Sequence, residues 1–335
     1  MQAYQLTEFG IDRLRRVTMD DPAPEAGQVL VKLKAASVNY RDFMICAGRF
    51  APPEDLPIVP LSDGAGEIIA IGDQVTSLAV GDRVSPLFFP HWQSGDALGD
   101  ERAVSTGLEA DGCLREFGVF DERGVVQFGA HLTHEQAACF PCAGLTAWSA
   151  LVTVSDIQPG DTVLVLGTGG VSIFALQFAK ALGARVIVTS SSDEKLVRAR
   201  ALGADDTINY RDTPEWGSVA KELTGGRGVD VVVEIGGTNT LGQSLAAVRR
   251  GGHIPIIGAL AGAQMNIVVY DLIMTNAHVH GISVGNRSAY EDMMHCVEEH
   301  HIVPVIDRNY HFAEAADAIR DIDEAGHFGK LTVTI

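Results

Sequence analysis

Thr162-Val-Leu-Val-Leu166 is an unbroken apolar run that passes directly into Gly167-Thr168-Gly169-Gly170-Val171-Ser172 and then into a helix-period pattern, Val171 to Leu182. A buried strand, a glycine turn and an amphipathic helix in immediate succession separate a dinucleotide fingerprint from a chance string of glycines. Gly167 allows the tight turn, and Gly169 lets the backbone approach a pyrophosphate. The first N–H groups of the helix add donors and a positive dipole end. Gly167, Thr168, Gly169, Gly170, Val171 and Ser172 are therefore the expected pyrophosphate-binding residues. Ser172 stands where Gly or Ala is usual, so the helix either sits further from the strand or buries a hydroxyl against it.

The same texture recurs around this turn. Apolar runs at Arg185 to Thr189, Val229 to Glu234 and His253 to Ile257 alternate with helical patterns such as Glu194 to Leu202. Near-continuous apolar strands joined by helices predict an α/β fold with a doubly wound parallel sheet, covered on both faces. The first 127 residues read differently, as short β-type runs broken by Gly, Pro and Asp: Val29 to Val38, Gly66 to Ile71, Arg83 to Phe88 and Glu116 to Phe120. From Arg287 on, two helical patterns (Tyr290 to Glu299, Ala313 to Asp321) and a strand-like end, Leu331 to Ile335, read as a return to the first domain. The expected division is 1–127 completed by 287–335, with 128–286 as the dinucleotide-binding domain.

About twenty residues beyond the glycine turn, an NAD-binding unit would place an acid for the ribose 2′-hydroxyl; this chain has Thr189-Ser190-Ser191-Ser192. Ser190 and Ser191, assisted by Lys195 and Tyr210, suit a 2′-phosphate, which favours NADP(H) over NAD(H). Asp193 and Glu194 argue the other way, and Ser191 with Glu194 also reads as a capping box.

The remaining composition narrows the class. Among 335 residues, 46% are hydrophobic and 20% charged, which excludes a disordered chain. The net charge of −18, with no basic patch read in the sequence, argues against a nucleic-acid partner. No apolar run approaches the ~20 residues of a membrane span, and residues 1–4 lack a signal-peptide pattern, so a cytoplasmic address is the expectation. The five cysteines do not make a disulfide framework. Cys139-Phe-Pro-Cys142 follows a capping box, Thr133-His-Glu-Gln136, and Cys139 reads as a buried structural thiol rather than as part of a redox or zinc pair.

Asn39-Tyr40-Arg41-Asp42, Gly64-Ala-Gly-Glu67, Gly81-Asp-Arg-Val84, Gly144-Leu-Thr-Ala147, the Gly167 turn and Gly203-Ala-Asp205, in this order, resemble the medium-chain dehydrogenase/reductase superfamily. The likeness covers essentially the whole chain and is closest to the zinc-independent branch of quinone oxidoreductases and enoyl-type reductases. It implies a GroES-like catalytic domain built from both chain ends, a Rossmann domain between them, a cleft separating the two, and a homodimer. The positions that match the zinc ligands of the alcohol dehydrogenases hold Asn39, Ser62 and Cys142. Neutral Asn and Ser do not replace imidazole and thiolate, so no metal is expected. Without a Lewis acid, oxidation of a simple alcohol loses its alkoxide stabiliser, whereas reduction of an enone or quinone needs none.

The expected activity is hydride transfer from NADPH to the activated C=C or C=O of a small apolar acceptor. Alternatives are an alcohol dehydrogenase and a nucleotide-binding protein with little catalysis. Asn39 and Tyr40 are the candidate catalytic residues, as hydrogen-bond partner and proton relay for the substrate oxygen. They read equally as a pair that settles a turn before a helix, with Asp42 as its N-terminal charge. Asn39 also joins the cofactor-binding candidates. Thr146 resembles the residue packed on the nicotinamide face, and Gly258 and Gly285, after later strands, are candidate backbone contacts. Asp63 is expected to pair with Arg41. Cys142, read as opening a helix, is a candidate for a lowered thiol pKa. Phe88-Phe-Pro-His-Trp92 lines a pocket or caps the β core, and the histidines from His278 onward form no metal motif.

Overall fold

The computed structural model describes residues 1–50, 56–258, 260, 262, 264 and 267–335. In chain order the strands are β1 Gln2–Leu6, β2 Leu14–Thr18, β3 Gln28–Val38, β4 Asp63–Ile71, β5 Arg83–Pro86, β6 Phe117–Asp121, β7 Val125–Gln127, β8 Thr162–Leu166, β9 Arg185–Ser190, β10 Asp206–Asn209, β11 Val229–Val233, β12 Val248–Ile256, β13 His278–Gly281, β14 Ile306–His311 and β15 Lys330–Thr334. The helices are α1 Tyr40–Cys46, α2 His134–Ala137, α3 Leu145–Trp148, α4 Gly170–Ala181, α5 Asp193–Ala201, α6 Trp216–Leu223, α7 Leu241–Ala247, α8 Val269–Thr275, α9 Arg287–Glu299 and α10 Ala315–Asp323.

By compactness the chain divides into Met1–Leu145 with Gly285–Ile335, and Thr146–Val284. Residues 128–145, grouped with the second domain in the sequence reading, belong to the first unit because α2 packs on β3, β4 and β15. The first unit is a GroES-like sheet domain of order β14-β15-β3-β4-β5-β7, with β6 also paired to β3. The N-terminal part of β3 alternates buried and more open positions, as a half-covered antiparallel strand should. β15 runs antiparallel to β3, Leu331 opposite Val38, so the late strand lies inside the sheet, between β14 and β3, rather than at its edge. One apolar cluster draws on β1, β3, α1, α10 and β15 together.

The second unit carries a parallel sheet of order β10-β9-β8-β11-β12-β13, the doubly wound arrangement of a Rossmann-like fold. β8 and β11 are buried along their whole lengths, because helices cover both faces, and they therefore read as continuous apolar runs. The strand order reverses between β8 and β11, and the glycine turn follows β8 at that point. The short strands β10 and β13 escaped the sequence reading. They are the edges of the sheet, and Asp206–Asn209 and His278–Gly281 carry polar side chains that an edge tolerates.

Candidate functional site

In the second unit, Gly167 adopts φ +72°, a conformation that favours glycine, and a Cβ there would lie 3.1 Å from Ile235 Cδ1. Gly169 is the N-cap of α4 and supplies no side chain, so the N–H groups of the first turn face outward without a capping partner from that residue. Ser172 resolves the alternative left by the sequence: its buried hydroxyl donates to the Leu166 carbonyl at 2.7 Å, tying helix to strand. The Gly167 N–H reaches Thr189 Oγ1 at 3.4 Å, joining the turn to the end of β9.

Ser190 closes β9. Its hydroxyl accepts from the Ser192 N–H at 3.3 Å, and its carbonyl accepts from the Tyr210 N–H at 3.1 Å. Ser190 ends β9, Tyr210 follows β10, Ser191 comes just before α5 and Lys195 lies in its first turn. The cap of α5 differs from the sequence reading. Ser192, not Ser191, is the N-cap, and it accepts from the Lys195 N–H at 3.4 Å. Thr146 is buried in α3. Gly258 follows β12 in this unit, whereas Gly285 belongs to the first unit. Glu234, just after β11, closes an apolar run in the sequence with no role given to it: it is fully buried and accepts from Gly236 N–H, Gly237 N–H, Thr240 Oγ1 and Ser244 Oγ. Those four donors mark it as the anchor of the turn into α7.

In the first unit a buried polar centre forms around Asn39, the N-cap of α1. Asn39 and Asp42 form a capping box in which the Asp42 carboxylate accepts from the Asn39 N–H at 2.8 Å, and the Asn39 side chain has further partners. Its Oδ1 accepts from Lys330 Nζ at 2.6 Å, and its amide lies 3.4 Å from Ser62 Oγ as donor. Because a lysine ammonium only donates, the carbonyl end must face Lys330, and the amide orientation is fixed. Lys330 Nζ also donates to the Val38 carbonyl at 2.8 Å. Ser62 Oγ donates to Asp63 Oδ1 at 2.8 Å, and the Cys142 N–H donates to Asp63 Oδ2 at 3.2 Å. The β3–β15 pairing delivers Lys330 to this centre from 291 residues away.

Burial sets the protonation behaviour here. Asp42 is pushed up to about 6 by burial, against the lowering pull of Arg41 and Lys330. Asp63 is raised by the same cause, opposed by Lys330 and by hydrogen bonds from Asn39, Ser62 and Cys142. Two expectations are corrected. Asp63 does not pair with Arg41, whose guanidinium donates to the Thr106 carbonyl at 2.9 Å and Ser105 Oγ at 3.0 Å and lies over Phe88. Cys142 is half-buried, and its thiol is raised rather than lowered, by desolvation and by the Asp63 carboxylate; the residue sits inside the π-type turn Phe140–Gly144 rather than at a helix start. Cys139 is fully buried, as read. Tyr40, the first residue of α1, is 36% exposed. Phe88 and Phe89 are buried against each other, which makes that part of the aromatic run a core cap.

Comparison with known proteins decides the family. Residues 25–130 match the family description "Alcohol dehydrogenase GroES-like domain" and residues 170–299 match "Zinc-binding dehydrogenase". A zinc-type alcohol dehydrogenase-like protein of Schizosaccharomyces pombe is 42% identical over 97% of this chain and 96% of its own. The chain belongs to the medium-chain dehydrogenase/reductase superfamily. The crystal structure of an alcohol dehydrogenase-type member from Sinorhizobium meliloti 1021 superposes with a TM-score of 0.94 at 40% identity, covering 100% of this chain and 98% of that one. The acryloyl-coenzyme A reductase of Metallosphaera sedula is 29% identical over 94% of this chain and 95% of its own. This is therefore an alcohol dehydrogenase-like oxidoreductase of that superfamily. Asn39, Asp42, Ser62, Asp63 and Lys330 carry the polar centre; of these the sequence offers Asp42 as a helix-start charge, Ser62 as a lost ligand position and Asp63 as a partner of Arg41, and gives Lys330 no role. Lys330 had a usable signal, as a lone lysine opening an apolar strand.

Proposed function

We propose that this protein is a zinc-independent reductase that uses a nicotinamide nucleotide, NADP(H) in preference to NAD(H), to reduce an activated C=C or C=O of a small apolar substrate. The observation that carries the reading is the Lys330 ammonium on Asn39 Oδ1 at 2.6 Å, within the set Asn39, Ser62 and Cys142. A zinc site asks for thiolate and imidazole. This set offers an amide already committed to a cation, a serine, and a thiol kept protonated by burial. It does not fit a catalytic zinc, and no step is assigned to one.

The glycine turn fits a dinucleotide, since the positive φ of Gly167 and the α4 N-terminus make a cradle for pyrophosphate. When bound, the nicotinamide supplies the hydride. The residues Ser190, Ser191, Lys195 and Tyr210 are the proposed 2′-phosphate contacts, and Thr146, Gly258 and Gly285 the proposed contacts toward the nicotinamide end. In the first unit, Asn39 and Lys330 fix the start of α1, and Tyr40 presents its hydroxyl from that fixed point. The proposed chemistry of Tyr40 is to donate to the substrate oxygen on which negative charge develops, which an enolate or hydroquinone tolerates without a metal. A small-molecule substrate and a homodimer complete the proposal.

The relatives named as alcohol dehydrogenases favour a second reading, reversible alcohol oxidation. One assay separates the two. Chelator-treated protein is offered NADPH, and in parallel NADH, against quinones, enones and aldehydes, and NADP⁺ against alcohols. Turnover of enones or quinones that survives the chelator, faster with NADPH, is the expected result. Activity confined to alcohols and restored by zinc would overturn the proposal.

A further inference from the structure

The sequence shows no basic run, yet the fold of the second unit brings together four cations that stand on separate elements between residues 221 and 250. Lys221 lies in the last turn of α6, Arg227 precedes β11, and Arg249 and Arg250 lie near the start of β12. With Val248 and Met274 they line a cavity of about 500 Å³. That volume lies inside the ~300–1,000 Å³ range of small-molecule sites. Because β8, β11 and β12 are parallel, this cavity sits at the N-terminal ends of the strands, whereas the glycine turn follows the C-terminal end of β8. It is a different place on the unit from the dinucleotide cradle.

Two of the cations are pre-arranged. Asp230, buried with a side chain 2% exposed, accepts from Arg227 Nη1 at 2.9 Å and Nη2 at 2.6 Å, from Arg249 Nε at 2.5 Å, and from the Thr162 N–H at 2.9 Å. Its carboxylate is saturated, and its single charge is shared by two guanidiniums. Asp161 acts on Arg227 from a longer range. Neither Lys221 nor Arg250 has an ion-pair partner among the described residues. Both are exposed at the cavity. Four cations line the concavity against the fully used Asp230 and the longer-range Asp161, which leaves a surplus of positive charge there in a chain whose net charge is −18. Rigid guanidinium forks beside a mobile ammonium are the donor set for phosphoryl oxygens, with Val248 and Met274 as an apolar wall for the rest of a ligand.

We propose that this cavity binds a small phosphoryl-bearing anion of two or more negative charges, independently of the dinucleotide at the glycine turn. The probe is pyrophosphate, titrated calorimetrically at low ionic strength into wild-type protein saturated with NADPH and into the Lys221→Ala/Arg250→Ala double variant. Both substituted side chains are exposed and lack ion pairs, so the variant keeps the Arg227–Asp230–Arg249 network. Saturable binding to wild type, at least about tenfold weaker in the double variant and steeply weakened by added salt, is the expected result. Equal affinity in the double variant, or no binding by wild type at millimolar pyrophosphate, overturns the proposal. An Arg250→Glu variant gives a second reading: reversing the charge must abolish binding, and retained binding refutes the site.

Discussion

Replacing Lys330 by Met keeps the apolar stem and removes the ammonium that holds Val38 and Asn39. The same ammonium lowers Asp42 and Asp63, which burial raises, Asp42 to about 6. Removing one partner from a buried charged network costs about 3–5 kcal/mol. A buried carboxylate recovers part of that cost by taking up a proton, so the loss has a pH signature. A carboxylate whose folded pKa exceeds its unfolded value makes the protein most stable below the unfolded value of about 3.9. Stability then falls by about 1.36 kcal/mol per pH unit until the folded pKa is passed. For wild-type Asp42 that decline ends near 6. Without Lys330 the folded pKa moves higher and the decline continues. Relative to wild type, Lys330→Met should therefore go on losing stability between about pH 6 and pH 8, by about 1.36 kcal/mol for each unit by which the Asp42 pKa rises. Urea unfolding followed by tryptophan fluorescence across that window measures it. A difference that stays flat with pH, or remains below about 1 kcal/mol at its alkaline end, would refute the reasoning.

Tyr40→Phe should lower kcat with little change in the nucleotide dissociation constant, and unchanged turnover would remove the phenol from the mechanism. Gly167→Ala places a Cβ at φ +72° and 3.1 Å from Ile235 Cδ1. It should cost about 1–2 kcal/mol of stability and weaken nucleotide binding, and wild-type affinity by fluorescence titration would contradict the cradle. Cys142, with its thiol raised by burial and Asp63, should react with iodoacetamide far more slowly than a free thiol at neutral pH. Rapid stoichiometric labelling, mapped to Cys142 by mass spectrometry, would show that the thiol is activated after all.

The second unit was largely legible because its signals are local. Thr162 to Leu166 had the observed strand limits, and the helix over Val171 to Leu182 lies within one residue of α4 at each end. A fully buried parallel strand leaves an uninterrupted apolar run, and a tight turn leaves glycines. The polar centre of the first unit was only half legible. Asn39 was visible beside its own helix, and Asp42 as a helix-start charge, but Lys330 meets Asn39 only through the β3–β15 register, and periodicity within either segment carries no trace of it. Burial inverted the reading of Cys142 for the same reason, since solvent access belongs to the assembled unit. The cation cavity likewise joins the end of α6, the loop before β11, the start of β12 and the end of α8, separate elements that only the folded unit brings to one place.

The place of β15 also bears on how the protein is made. Thr146–Val284 is a contiguous stretch, and its sheet needs nothing from the residues that follow. The first unit has its β3 emerge early, but the neighbouring position is filled only when residue 330 has left the ribosome. Until then Val38 and Asn39 face an open seam, and Asp63 waits without its counter-charge. The last strand therefore acts as a late latch: a ribosome that stalls before it leaves a nearly whole nucleotide-binding half joined to an unsealed partner. Quality control that recognises exposed strand edges would have its clearest target there, in the interval before the chain closes.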